Sequence, residues 1–155
     1  MKKVSAAVIY SPSDLIRYLA SPFASWLDRY HLENPGEITR DEETEEEKLH
    51  SRAGDEHERS ILAGYKASNS NLIEIPKNDF DVARRTTLEA IKNKAPIVFQ
   101  AALKDGVFAG FADFLILDVS EKYQVWDTKL ALSPKPYYPI QFCCYAETLA
   151  ATQFE

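Results

Sequence analysis

The block PIVFQAALKDGVFAGFADFLIL, from Pro96 to Leu117, limits the fold more than any other part of the chain. Apolar residues recur with period two on both sides of the turn Lys104-Asp105-Gly106, which reads as a β-hairpin. KYQVWDTKLAL, Lys122 to Leu132, follows a short polar turn and is expected to pair with the preceding strand, giving an antiparallel meander. SPKPYYP is a proline-punctuated loop, and IQFCCYAETLAATQF, Ile140 to Phe154, reads as a final helix.

Upstream, SPSDLIRYLASPFASWLDRY reads as two short helices, with Ser11 or Ser13 as the first cap and Pro22 opening the second. NPGE is a turn. From Glu42 to Tyr65 the pattern is helical, with Leu49, Ala53, His57 and Ile61 stepping by four. NLIEI is a short strand stopped by Pro76, and Asp79 to Lys94 is an amphipathic helix capped by Asp79 or Asp81. Helices, short strand, helix, meander, helix is the order of an α+β or mixed α/β protein, a central mixed sheet flanked by helices.

A chain of 155 residues suits one domain with a sizeable core. No apolar run is long enough to span a bilayer, the N-terminus lacks a secretory pattern, and the two cysteines are adjacent. The expectation is a cytoplasmic, soluble, single-domain protein with no membrane partner. The net charge of −6 argues against a nucleic-acid partner only until it is mapped. Glu33 to Glu58 holds 11 acidic and 3 basic residues, which leaves 13 acidic against 15 basic elsewhere. A DNA groove outside that segment is compatible with the charge.

Several polar residues stand where apolar ones would fit. Asp113 interrupts GVFAGFADFLIL, and a carboxylate buried there costs several kcal/mol unless compensated. Backbone hydrogen bonds or an arginine are the simpler explanation of an isolated Asp. Asp127 and Lys129 alternate onto one side of the next strand, so Asp113 and Asp127 are expected to lie beside one another. Two such carboxylates repel, and a divalent cation between them relieves the repulsion. A surface ion-pair ladder remains open for Asp127 and Lys129 alone. On the long helix, Gly54 lies one turn before His57, and Glu58 points about 100° from His57. Gln141 and Tyr145, four apart, share a face of the last helix.

Taken in order, GDEHE, GFADFLI, VWDTK and QFCCY resemble the motifs of the RecB-type nucleases of the PD-(D/E)XK superfamily. The resemblance covers nearly the whole chain. It implies a restriction-endonuclease-like core and metal-dependent hydrolysis of DNA phosphodiester bonds in repair, recombination or DNA processing, with exonuclease action expected. Asp113, Asp127 and Lys129 would be catalytic. His57, Asp113, Asp127 and the Thr128 carbonyl would hold Mg²⁺ or Mn²⁺. Gln141 and Tyr145 would meet the substrate, with Gly54 and Glu58 in support. DNA, single-stranded or at duplex ends, is the implied partner. Many relatives carry an iron–sulfur cluster on four cysteines; here Ser21-Pro22 stands at the first position and only Cys143 and Cys144 remain, so no cluster is expected. The chain ends ten residues after Tyr145, where relatives continue with a further strand and often a helicase. Residues 1–155 are therefore expected to be the N-terminal nuclease part of a longer protein, lacking the last core strand. A nuclease-like module that binds DNA or a partner without cutting is the alternative.

Overall fold

The computed structural model describes residues 1–155 apart from 5, 6, 40, 69, 70, 132, 154 and 155. Among the described residues there are five α-helices and a mixed four-stranded sheet, an α+β arrangement. No described helix is long and apolar enough to cross a membrane.

The expected hairpin forms the centre. Strand β4 (Ile97–Asp105) pairs antiparallel with β5 (Phe108–Leu117), from Ile97 opposite Ile116 to Asp105 opposite Phe108. One step of that ladder is missing, at Gln100 opposite Asp113. Gly106 turns the chain with φ +52, a left-handed conformation that glycine adopts without strain. The short strand β3 (Leu72–Glu74) lies parallel to β4 on one side, and β6 (Tyr123–Trp126) antiparallel to β5 on the other.

A second, two-stranded sheet, β1 (Lys2–Val4) with β2 (Ala7–Ile9), precedes the helices and had no counterpart in the sequence reading. The chain then passes along β5. Tyr10 donates its N–H to Val107 O and accepts from Ala109 N–H, both at 2.8 Å. This occupies the end of β5 that β6 does not reach.

Helix α1 (Pro12–Ala20) follows Ser11, one of its two expected caps, and starts at Pro12; helix α2 (Pro22–Glu33) opens at Pro22, as expected, after Ser21. Helix α3 runs from Glu45 to Ser68 and begins later than Glu42, because Thr44 and Glu47 form a reciprocal cap. Helix α4 (Phe80–Lys92) is capped by the Asp79 carboxylate, which accepts Val82 N–H at 2.9 Å. Helix α5 spans Tyr138–Gln153; the expected end at Phe154 lies outside the described residues.

Two apolar layers cover the sheet. On one side Leu62 of α3 packs with Ile97 and Phe114, joined by Ile61, Tyr65, Phe99 and Ile116. On the other, Ala83 and Ala90 of α4 and Tyr145 and Leu149 of α5 pack on Val98, Ala101, Ala102, Ala112 and Leu115. Three alanines at the sheet centre allow the helices to approach closely.

Thr87 ties α4 to β4. Its fully buried hydroxyl donates to Ala83 O at 2.9 Å and accepts Ala102 N–H at 3.0 Å. Ala102 lies beyond the last β4 residue that β3 pairs, so the threonine stands in for a missing strand. Thr87→Val preserves the shape but leaves that N–H unsatisfied. It should cost about 1–3 kcal/mol in urea unfolding, and Thr87→Ser, which keeps the oxygen, should lose less.

Candidate functional site

The adjacent strands β5 and β6 bring Asp113 and Asp127 together. Their ladder pairs Phe114 with Trp126, so the next step places Asp113 opposite Asp127. Along β5, Phe114 and Ile116 enter the layer under α3, while Leu115 enters the layer under α5. Asp113 sits at the interrupted step of the β4–β5 ladder, and its charge reaches both Glu58 of α3 and Tyr145 of α5.

The strand expected from Lys122 to Leu132 stops at Trp126, and Leu132 lies outside the described residues. The cause is local. Thr128 gives its backbone N–H to Asp113 Oδ2 at 2.8 Å and its hydroxyl to the same oxygen at 3.1 Å. An N–H directed at a side-chain carboxylate is not available to continue the ladder. Asp113 is thereby fixed in orientation, and the segment Asp127-Thr128-Lys129 bends over it.

Asp127 is the more buried acid, with its side chain 3% exposed. Lys129 Nζ lies 2.7 Å from its Oδ2. The contact is an ion pair at hydrogen-bonding distance. Burial pushes the Asp127 carboxyl up to about 7, and a hydrogen bond with Asp113 pushes in the same direction; Lys129 opposes both. Asp127 is therefore held toward its neutral form. Lys129 is also steered by α5, its ammonium lying 5.7 Å from the centre of the Tyr138 ring.

Helix α3 contributes Glu58. The face it turns to the sheet runs through Glu58, Ile61, Leu62 and Tyr65, a helical i, i+3, i+4, i+7 pattern. Burial and the Asp113 charge raise the Glu58 carboxyl, with Lys77 and a hydrogen bond from Gln100 opposing them. His57 is half-buried and makes no hydrogen bond or ion pair among the described residues. The stepping-by-four pattern through Leu49 and His57 pointed to a neighbouring face, and Leu49 is 62% exposed. Nothing lies within 4 Å of the position a Cβ would take at Gly54.

Tyr145 supports β5 from α5. It is buried, and its hydroxyl donates to Phe111 O at 2.8 Å. Burial, then the charges of Asp113 and Asp127, raise the phenol, while a hydrogen bond with Gln141 lowers it. Gly110 makes room for the ring: a Cβ there would lie 3.2 Å from Tyr145 Cε1. Gln141 and Tyr145 are thus joined, as their spacing predicts, and Tyr145 serves as a brace under Asp113.

Gln100 was missed in the sequence. It is 5% exposed, and its amide donates to Glu58 Oε1. Its φ of +57 is unusual for a non-glycine residue in a strand and costs roughly 1–3 kcal/mol. The signal was present: a glutamine inside PIVFQAAL is as anomalous as an aspartate inside FADFL.

Among the described residues no three His, Cys, Asp or Glu side chains are gathered as a ready metal cage. The donors nonetheless suit a hard cation. Two carboxyls face one another across neighbouring strand positions, and a third carboxylate lies within electrostatic reach.

The raised Asp127 carboxyl sets a stability prediction. The folded state holds a proton there that the unfolded chain has released, so the Asp127 contribution to stability is full below about pH 4 and is lost as pH rises through about 7. With EDTA present, Asp127→Asn should flatten this loss. It should be more stable than the unsubstituted protein at pH 8 by at least about 1 kcal/mol in urea unfolding. No protein-family model, curated protein or solved structure matches the chain, so its own residues and their geometry carry the functional reading.

Proposed function

We propose that the protein is a metal-dependent DNA nuclease of the RecB type, built on a restriction-endonuclease-like core. The observation that carries this reading is the pair Asp113 and Asp127, opposed across β5 and β6 with Lys129 Nζ 2.7 Å from Asp127. The order of elements also fits: helix α3 carrying Glu58, then β3 and α4, then three antiparallel strands, and last a helix bracing the middle one.

Asp113 and Asp127 would hold Mg²⁺ or Mn²⁺, with Glu58 as the contribution of α3 in place of His57. When bound, such a cation polarises a phosphoryl oxygen and acidifies a water. Asp113, locked by Thr128, supplies a fixed oxygen donor. Asp127 must give up its proton when the cation binds. Lys129, beside Asp127, would orient the attacking water and offset charge on the phosphate. Tyr145 and Gln141 hold the α5 side of the site against β5. DNA is the proposed substrate, and a helicase domain of a longer protein the proposed companion.

Cutting of end-labelled single- and double-stranded DNA tests this. Cleavage should require Mg²⁺ or Mn²⁺, stop with EDTA and vanish in Asp113→Ala. Lys129→Ala should lower the rate by about 10²–10³. Cation binding without cutting would identify a silent DNA- or partner-binding module, and neither binding nor cutting would dismiss the nuclease.

The raised Asp127 carboxyl gives a second test. A cation competes with its proton, so apparent Mg²⁺ affinity should rise as pH rises through about 7 and level off above. A flat profile between pH 6 and 8 would contradict the assignment of Asp127.

A further inference from the structure

We infer that Gln100 is a positioning residue, whose left-handed backbone and amide together aim Glu58 at the metal site. The inference rests on the nuclease reading and goes beyond it. Strand alternation puts Ile97 and Phe99 in the layer under α3 and Val98 in the layer under α4 and α5. Continued regularly, the alternation would send the Gln100 side chain to the same side as Val98. It reaches Glu58 of α3 instead. The departure coincides with φ +57 at Gln100 and with the one missing step of the β4–β5 ladder, opposite Asp113. One strained residue therefore connects the α3 acid with the strand position facing the β5 acid.

A neutral amide suits this task. Its N–H holds one oxygen of a carboxylate without adding charge, and leaves the other oxygen available. Glu58 and Gln100 both line a cleft of about 290 Å³, with Asp55, Arg59, Ile75, Lys77 and Phe99 as its other walls. Gln100 thus holds the carboxylate from one side, beside the strand position opposite Asp113, whose charge reaches Glu58. An unpinned Glu58 would rotate among its rotamers and spend less time directed at Asp113.

The test is Mn²⁺ binding by calorimetry, with MnCl₂ as the only ligand, on the full chain at pH 8. Gln100→Gly removes the amide and suits the left-handed backbone, so it should fold with a Tm equal to or above that of the unsubstituted protein. Its Mn²⁺ affinity should fall by about 10-fold. Gln100→Asn, whose amide is one methylene shorter but tolerates the same backbone, should show a similar loss. Glu58→Gln should also fall by about 10-fold, and the double variant Glu58→Gln with Gln100→Gly should be no weaker than Glu58→Gln alone.

Additive loss in the double variant, about 100-fold, would overturn the inference, as would unchanged affinity in Gln100→Gly. So would failure of both Gln100 variants to fold, which would make the residue purely structural. If the unsubstituted protein binds no Mn²⁺ while remaining folded, the nuclease reading falls and this inference with it. If it binds Mn²⁺ and loses it in Asp113→Ala, an unaffected Gln100→Gly removes only the role of Gln100.

Discussion

Two carboxyl groups facing one another on neighbouring strands repel when both are ionised, and the structure around Asp113 and Asp127 is arranged around that repulsion. Thr128 supplies two hydrogen bonds to Asp113, Lys129 supplies a positive charge to Asp127, and Asp127 keeps a proton up to about pH 7. None of these is a spare contact. The hydrogen bond from Thr128 N–H ends β6 at Trp126, and ending the strand is what frees the chain to carry Lys129 back over the acids. A longer, regular β6 would have extended the sheet and directed Lys129 along it. The site is thus formed by interrupting secondary structure at a defined residue, at a cost that burial in the surrounding layers offsets.

The surrounding layers follow from residue size. Ala101, Ala102 and Ala112 are completely buried at the centre of the sheet, where larger side chains would hold α4 and α5 away. Close approach allows the Thr87 hydroxyl to reach a strand amide and the Tyr145 hydroxyl to reach a strand carbonyl. Two helices therefore complete hydrogen bonding that neighbouring strands leave open. Gly110 extends the same logic to the edge, since any side chain there would displace Tyr145 or Pro12. Bracing β5 from α5 in this way keeps Asp113 at a fixed height opposite Asp127.

Much of this was legible because period-two and period-3.6 patterns are strong over long segments. The hairpin, the helix capped by Asp79 and the pairing that aligns Asp113 with Asp127 all follow from alternation and turn chemistry. The joining of Gln141 with Tyr145 follows from helical spacing. What escaped depended on side chains acting on backbone. Thr128 cutting short a strand is invisible to a pattern that extends through Leu130. The Thr44 and Glu47 cap shifted a helix start that runs of acidic residues blurred. The pairing of β1 with β2 involves three-residue strands, too short for any periodic signal.

The choice between His57 and Glu58 shows why helix phase needs an anchor outside the motif. A spacing of four through Leu49, Ala53, His57 and Ile61 defines one face, yet α3 meets the sheet only through its second half, from Glu58 to Tyr65. The first half carries the acidic run and stands in solvent, so Leu49 contributes to a pattern without contributing to packing. Leu62 and Tyr65 fix the phase instead, Leu62 against Ile97 and Phe114 and Tyr65 with its ring 5.2 Å from that of Phe114. Counting back from them by four and by seven reaches Glu58 both times. The amide of Gln100 at its left-handed step holds Glu58 against the strand, so the helix phase and the strand irregularity have to be read together.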